Sequence, residues 1–62
     1  MKVHVNGEPR ELPGPVTVQA LVPDGRGVAV AVNGTVVRAA AWSVTTLGEG
    51  DRIEVVTAHQ GG

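Results

Sequence analysis

The sequence contains no cysteine, which excludes a disulfide scaffold, a cysteine metal site and any sulfur carried on a thiol of this chain. It has one aromatic residue, Trp42, and so lacks a platform on which nucleic-acid bases could stack. No stretch approaches the roughly 20 apolar residues that span a bilayer, and the opening residues lack the core of a signal peptide. We therefore expect a soluble, cytoplasmic protein without a membrane partner.

Charge of either sign is sparse, with five basic and six acidic residues and a formal net charge of −1. The basic residues are dispersed and form no stripe along which a phosphate backbone could bind, so we expect no nucleic-acid partner. The 62 residues suffice for one domain near the lower size limit for a single core. A large enclosed active site is therefore not expected.

Residues with catalytic potential are few and isolated from one another. His4 and His59 have no acidic residue at a metal-ligand spacing, and we interpret both as surface residues. Ser43 lacks a recognisable base and orienting partner, and Glu49 and Asp51 suit an ordinary turn. We predict no catalytic residue, no bound cofactor and no metal, and so a protein that is not an enzyme.

Alternation of apolar and polar residues predicts two hairpins. Residues 1–6 alternate with period two, and Asn6-Gly7 is typical of a tight hairpin turn that leads into a return strand over residues 8–12. Pro9 lacks a backbone donor and places that strand at a sheet edge. The second hairpin joins Val28–Val32 to residues 35–38 through another Asn-Gly step.

Between and after the hairpins the pattern changes. A short helix is predicted from Thr17 to Val22, with Thr17 as its N-cap. Residues 39–42 fit either a helical turn or a loop, and Trp42 and Leu47 are candidate core residues. A last strand is predicted to run from Asp51 to the region of Thr57.

This order of elements predicts an α+β roll: a mixed sheet of about four to five strands with one main helix across it. The last strand is expected near the centre of the sheet, parallel to the first. We assign residues 1–58 to this domain and residues 59–62 to a flexible C-terminal tail.

One surface of the predicted sheet is a candidate for docking a partner. If the valines of Val28–Val32 face the helix, a group of small apolar residues lies on the uncovered face. These residues are Ala29, Ala31, Val56 and Ala58, with Lys2, His4, Arg52 and Glu54 as a charged rim. Such a patch is typical of a docking surface, although small domains also expose scattered apolar residues.

The sequence ends in Gln60, Gly61 and Gly62. Glycine has no Cβ, so this segment is thin enough to enter a narrow enzyme channel and present a bare α-carboxylate. The alternative is an ordinary frayed terminus.

Several segments together resemble the ThiS family of sulfur carrier proteins in thiamine biosynthesis. They are Val28-Ala-Val-Ala-Val-Asn-Gly34, Trp42, Leu47, Glu49-Gly50-Asp51, Ile53-Glu-Val-Val56 and Gln60-Gly61-Gly62. The resemblance covers nearly the whole chain and implies a ubiquitin-like β-grasp fold, which agrees with the predicted roll.

The resemblance also implies a mechanism. A ThiF-type enzyme would adenylate the Gly62 carboxylate with ATP, and sulfur from a cysteine persulfide, supplied by a cysteine desulfurase, would convert it to a thiocarboxylate. Thiazole synthase would then receive the sulfur. Gly61 and Gly62 match the reactive tail of the family, whereas Gln60 belongs to its variable lead-in.

Other functions share this fold and ending. The chain could carry sulfur for molybdenum cofactor synthesis or another thiolated product such as a tRNA base or cysteine. It could also be a ubiquitin-like modifier, or a β-grasp binding module whose glycines are incidental.

Overall fold

A computed structural model describes residues 1–57. Its strands are β1 (Lys2–Val5), β2 (Glu8–Glu11), β3 (Val28–Val32), β4 (Thr35–Val37) and β5 (Arg52–Thr57). The helix α1 spans Val18–Leu21, and a 3₁₀ helix spans Ala39–Val44. Among these residues no helix is both long and apolar enough to cross a membrane.

The strands form one five-stranded mixed sheet in the order β2-β1-β5-β3-β4. β1 and β5 are parallel, with His4 opposite Arg52, whereas the other neighbouring strands are antiparallel. The last strand therefore lies at the centre, between the two hairpins, as the sequence predicts. β2, which contains Pro9, lies at an edge of the sheet, as also predicted.

Both predicted hairpin turns are confirmed by their backbone angles. Asn6 and Asn33 each have φ of 52°, and the following Gly7 and Gly34 have φ of 84° and 86°. A type I′ turn requires positive φ at both central residues, and Asn-Gly accepts these angles at the lowest cost. The two turns fix the registers of the β1–β2 and β3–β4 hairpins.

The helix α1 is a single turn, close to the predicted bounds. The Thr17 hydroxyl accepts a hydrogen bond from the Ala20 amide at 3.1 Å, which confirms Thr17 as the N-cap. So short a helix is unstable by itself, and burial of Val18 in the core supplies most of its stabilisation.

The core lies between the sheet and the helical segments. Its buried residues are Val3, Val18, Val30, Trp42, Leu47 and Ile53. Trp42 is 2% exposed, and its indole Nε1 donates a hydrogen bond to the Val37 carbonyl at 2.9 Å. The prediction that Trp42 and Leu47 are core residues is confirmed. Residues 39–42, which the sequence allows to be either a helical turn or a loop, belong to the 3₁₀ helix. This helix places Trp42 in the core.

The predicted boundary between the domain (1–58) and the tail (59–62) lies outside the described residues. The structure therefore describes the base of the predicted tail, up to Thr57.

Candidate functional site

The strand β5 leads to the C-terminal glycines and is paired along both sides. On one side, β3 pairs with it from Ile53 to Thr57, where Thr57 lies opposite Val28. On the other side, β1 pairs with it at Arg52 and Ile53. The backbone that precedes the last five residues is therefore fixed by the sheet up to the last described position.

Asn6 extends the pairing of β1 with β5 by means of its side chain. Its Oδ1 accepts a hydrogen bond from the Val55 amide at 2.8 Å, and its Nδ2 donates to the Val55 carbonyl at 3.2 Å. The side-chain amide thus takes the place of a peptide group in the ladder just where β1 turns away into β2.

Asn33 has a related role at the opposite end of β5. Its Oδ1 accepts from the Arg52 amide at 2.9 Å, and its Nδ2 donates to the Asp51 carboxylate at 3.0 Å. Because β1 is parallel and β3 antiparallel to β5, their turns lie at different ends of it. Asn6 holds the end near the tail, and Asn33 holds the beginning.

The sheet face away from the core, here called the open face, carries the predicted docking residues. Ala29 lies opposite Val56, and Ala31 lies opposite Glu54. Residues directly opposite each other share a face, and Val56 is 61% exposed. The structure therefore brings Ala29, Ala31 and Val56 together, whereas Ala58 lies outside the described residues.

The sequence interpretation missed a fourth apolar residue on this face. Val36 in β4 lies opposite Ala31 and is 70% exposed. We call Ala29, Ala31, Val36 and Val56 the apolar patch. Val36 could have been found by extending the alternation of β3 across the Asn33-Gly34 turn, since the turn fixes which residues face each other.

Charged residues border the apolar patch along β5 and β1. Arg52 lies opposite His4, and Glu54 lies beside Ala31, so both signs of charge are present. A shallow depression of about 280 Å³ adjoins them, lined by His4, Gly7, Arg52, Ile53 and Glu54. An apolar centre with a polar rim of mixed charge resembles the composition of protein–protein interfaces.

A second depression of about 420 Å³ lies on the other side of the sheet, between the end of α1 and the β1 and β5 strands. Val22, Asn6 and Val55 contribute to its lining. Within the described residues there is no group of three or more acidic or histidine side chains that could hold a metal ion.

The described ion pairs lie away from the apolar patch. The amino group of Met1 is 2.9 Å from Glu11 Oε2, and this hydrogen bond and charge lower the pKa of the Glu11 carboxyl. Arg26 and Asp24 form a looser pair at 3.7 Å. Glu11, Arg26 and Asp24 are exposed, so solvent screens both pairs and they add little to stability.

The predicted tail residues Gln60, Gly61 and Gly62, together with His59, lie outside the described residues. Two other residues that the sequence analysis considered for metal binding or catalysis lie within residues 1–57. His4 is partly exposed on the open face, and Ser43 is exposed on the 3₁₀ helix.

Two solved structures are similar to this chain over its whole length. The crystal structure of a thiamine biosynthesis protein (ThiS) from Geobacter metallireducens superposes with a TM-score of 0.86 at 30% identity, covering 100% of both chains. A solution NMR structure of a thiamine biosynthesis protein from Geobacter metallireducens gives a TM-score of 0.80 at 30% identity. It covers 100% of this chain and 88% of the other.

No curated protein sequence matches the chain. The sequence model of the ThiS family does match it, over residues 3–62, and this range includes both hairpin turns, β5 and the terminal glycines. The agreement of the family match with the fold confirms the resemblance and the ubiquitin-like β-grasp prediction, and the chain belongs to the ThiS family.

Proposed function

We propose that this sulfur carrier of thiamine biosynthesis acts through the α-carboxylate of Gly62. As a member of the ThiS family the chain is a carrier protein and not an enzyme. A ThiF-type adenylating enzyme supplies the activation, and thiazole synthase is the acceptor of the sulfur. The chain itself contributes the reacting carboxylate and its position.

The observation that carries the proposal is the extent of the family match, which runs to residue 62 and therefore includes Gly61 and Gly62. The structure supports it with the position of β5 at the centre of the sheet, where pairing with β3 continues to Thr57 and fixes the start of the segment that follows. A thin segment on a fixed base can deliver a carboxylate into a channel of a partner enzyme.

The proposed chemistry has three steps. A carboxylate oxygen of Gly62 attacks the α-phosphorus of ATP, pyrophosphate leaves, and an acyl-adenylate forms. The terminal sulfur of a cysteine persulfide, supplied by a cysteine desulfurase, then attacks the acyl carbon, and AMP leaves. A thiol cleaves the sulfur–sulfur bond, which forms a disulfide with the donor cysteine and leaves the thiocarboxylate on Gly62.

Activation is required because a free carboxylate is a poor electrophile. Its negative charge repels a nucleophile, and it offers no good leaving group. Conversion to the adenylate supplies a phosphate leaving group, and this step consumes the ATP. ATP is thus a substrate of the partner enzyme.

The open face is the proposed docking surface for the adenylating enzyme. Val56 is adjacent in sequence to Thr57, where β5 ends, so a partner that takes up the following segment would contact this face at the same time. The exposure of Val36 and Val56 supports the assignment, because their burial at an interface removes apolar surface from water.

The proposal is tested by ATP–pyrophosphate exchange catalysed by the adenylating enzyme. Deletion of Gly62, or addition of one residue after it, should abolish exchange because the carboxylate no longer reaches the α-phosphorus. Gly61→Val should impair exchange, because a β-branched side chain stiffens and widens the segment. His59→Ala keeps the length and both glycines and should exchange like the parent.

Each variant is also followed by thermal unfolding, and the melting temperature should stay at the parent value. The intact mass of the sulfurated product should show one oxygen of the chain replaced by sulfur. Persistent exchange after removal of Gly62 would falsify the proposal, and isopeptide conjugates to other proteins in place of the thiocarboxylate would favour a modifier.

A further inference from the structure

Asn6 has two roles, and the turn requires only the first of them. Its backbone has φ of 52°, which serves the hairpin turn, and its side-chain amide makes two hydrogen bonds to Val55. A glycine can also adopt the positive φ that the turn requires. The side chain therefore has a role beyond the turn, and that role concerns β5.

The two bonds continue the parallel ladder beyond the end of β1. The Asn6 amide donates to the Ile53 carbonyl at 2.8 Å, the last main-chain bond between these strands in the described residues. The next groups along β5 are the amide and carbonyl of Val55, and both are bound by the Asn6 side chain. Without it, the Val55 amide and carbonyl would have no partner on the β1 side among residues 1–57.

Val55 stands near the point where the C-terminal segment begins. It is two residues before Thr57 and seven before Gly62. Beyond Val55, pairing continues only with β3, at Val56 and Thr57. A strand held on one edge can bend away from its neighbour more easily than one held on both, so the last contact on the β1 side sets where β5 can begin to diverge.

We propose that Asn6 is a positioning residue for the C-terminal segment: its side-chain amide fixes the end of β5 and thereby the direction in which the carboxylate is presented to the adenylating enzyme. The proposal rests on the proposed function for its effect on adenylation. Its structural part, the control of the end of β5, stands on the two hydrogen bonds alone.

Asparagine is the residue that meets all the requirements at this position. Aspartate tolerates the same backbone region but carries no donor, and its carboxylate would face the Val55 carbonyl. Glycine keeps the turn and removes both bonds. These differences make Asn6→Gly and Asn6→Asp a graded pair that leaves the hairpin intact.

Asn33 offers a matched control within the same chain. It has the same φ of 52°, precedes a glycine in the same turn type, and its Oδ1 binds the Arg52 amide at the start of β5. Asn33→Gly thus removes a comparable side-chain contact at the beginning of β5, which is the end of the strand remote from the tail.

The first measurement is amide hydrogen exchange followed by NMR, with thermal unfolding recorded beside it. The Val55 amide should exchange about tenfold faster in Asn6→Gly, as expected when a protected donor loses its acceptor. Asn6→Asp, which retains the acceptor, should give a smaller increase. In Asn33→Gly the Arg52 amide should respond and the Val55 amide should not.

The second measurement is the kinetics of adenylation of each variant. Asn6→Gly should lower kcat several-fold with KM near the parent value, because the open face still docks while the carboxylate is misplaced. Asn33→Gly, with a similar loss of thermal stability, should retain kcat. Asn6→Asp should fall between Asn6→Gly and the parent.

Equal Val55 exchange in Asn6→Gly and Asn33→Gly would overturn the proposal. So would a kcat that falls equally in both variants, since loss of stability would then account for the effect. Failure of the proposed function has a different signature: the parent chain itself would not be adenylated, while the exchange comparison would still decide whether Asn6 fixes the end of β5.

Discussion

Gly25 lies against the ring of Trp42 so closely that a Cβ on Gly25 would come 1.9 Å from Cζ3 and 2.5 Å from Cη2. Trp42 is buried, and its Nε1 is held by the Val37 carbonyl, so the ring cannot swing away without losing that bond. The glycine is therefore required by close packing, and the loop after α1 closes over the indole only because position 25 has no side chain.

Gly25→Ala should consequently destabilise the protein by about 1–3 kcal/mol, the usual cost of forcing an extra carbon into a packed site. For a domain of this size that loss lowers the melting temperature by about 4–8 °C per kcal/mol. Thermal unfolding followed by circular dichroism, with tryptophan fluorescence as a second probe, measures both the loss and the movement of the ring.

Gly14→Ala is the control for this change. A Cβ at Gly14 has no neighbour within 4 Å, and its backbone lies outside the left-handed region. The substitution should leave the melting temperature close to that of the parent. An equal loss at both glycines would show that backbone flexibility and not the contact with Trp42 is responsible.

Val30→Ala and Ile53→Ala should each lower the free energy of unfolding by roughly 1–4 kcal/mol, because each leaves a cavity in the core. Both side chains are about 1% exposed and face the helical side of the sheet. Urea unfolding at equilibrium gives the free energy directly.

Val36→Ala makes the same chemical change as Val30→Ala at a position that is 70% exposed. It should cost less than about 0.5 kcal/mol, as surface substitutions usually do. If Val36→Ala were as costly as Val30→Ala, the assignment of the two faces of the sheet would be wrong.

Val56→Glu should weaken binding to the adenylating enzyme by about tenfold or more, because a carboxylate placed on the apolar patch would be desolvated at the interface without a partner. The side chain is 61% exposed in the free protein, so its replacement should preserve the fold. Isothermal titration calorimetry gives the affinity, and a melting curve verifies folding.

Val44→Glu is the matched control, since Val44 is 79% exposed but lies on the 3₁₀ helix, which packs against α1. It should bind like the parent chain. If Val56→Glu bound the adenylating enzyme as tightly as the parent chain, or if Val44→Glu bound it less tightly than Val56→Glu, the docking surface would lie elsewhere on the molecule.

Much of the fold follows from local patterns. The two Asn-Gly steps locate both hairpins, and alternation assigns Val30 and Ile53 to the core face. The resemblance to the ThiS family carries the identification of the fold as β-grasp. Residues 39–42 fit either a helical turn or a loop because their run of alanines has no clear apolar face, and the anchoring of Trp42 decides their conformation.

The relationships that the sequence did not predict join distant parts of the chain. Asn6 and Val55 are 49 positions apart, and nothing in either segment indicates that the asparagine side chain binds the other strand. Likewise, nothing in the sequence around Gly25 indicates that this position accommodates the Trp42 ring. Such contacts depend on the assembled topology and not on local preference.

The central position of β5 also determines when the chain can fold. Synthesis proceeds from the N-terminus, so both hairpins leave the ribosome before the strand that must lie between them. Until then β1 and β3 each present an unpaired edge, and the pairing of His4 with Arg52 closes a loop that spans most of the chain. The sheet can therefore form only after β5 has been synthesised, and a chain that has folded already extends at least to the start of the C-terminal segment.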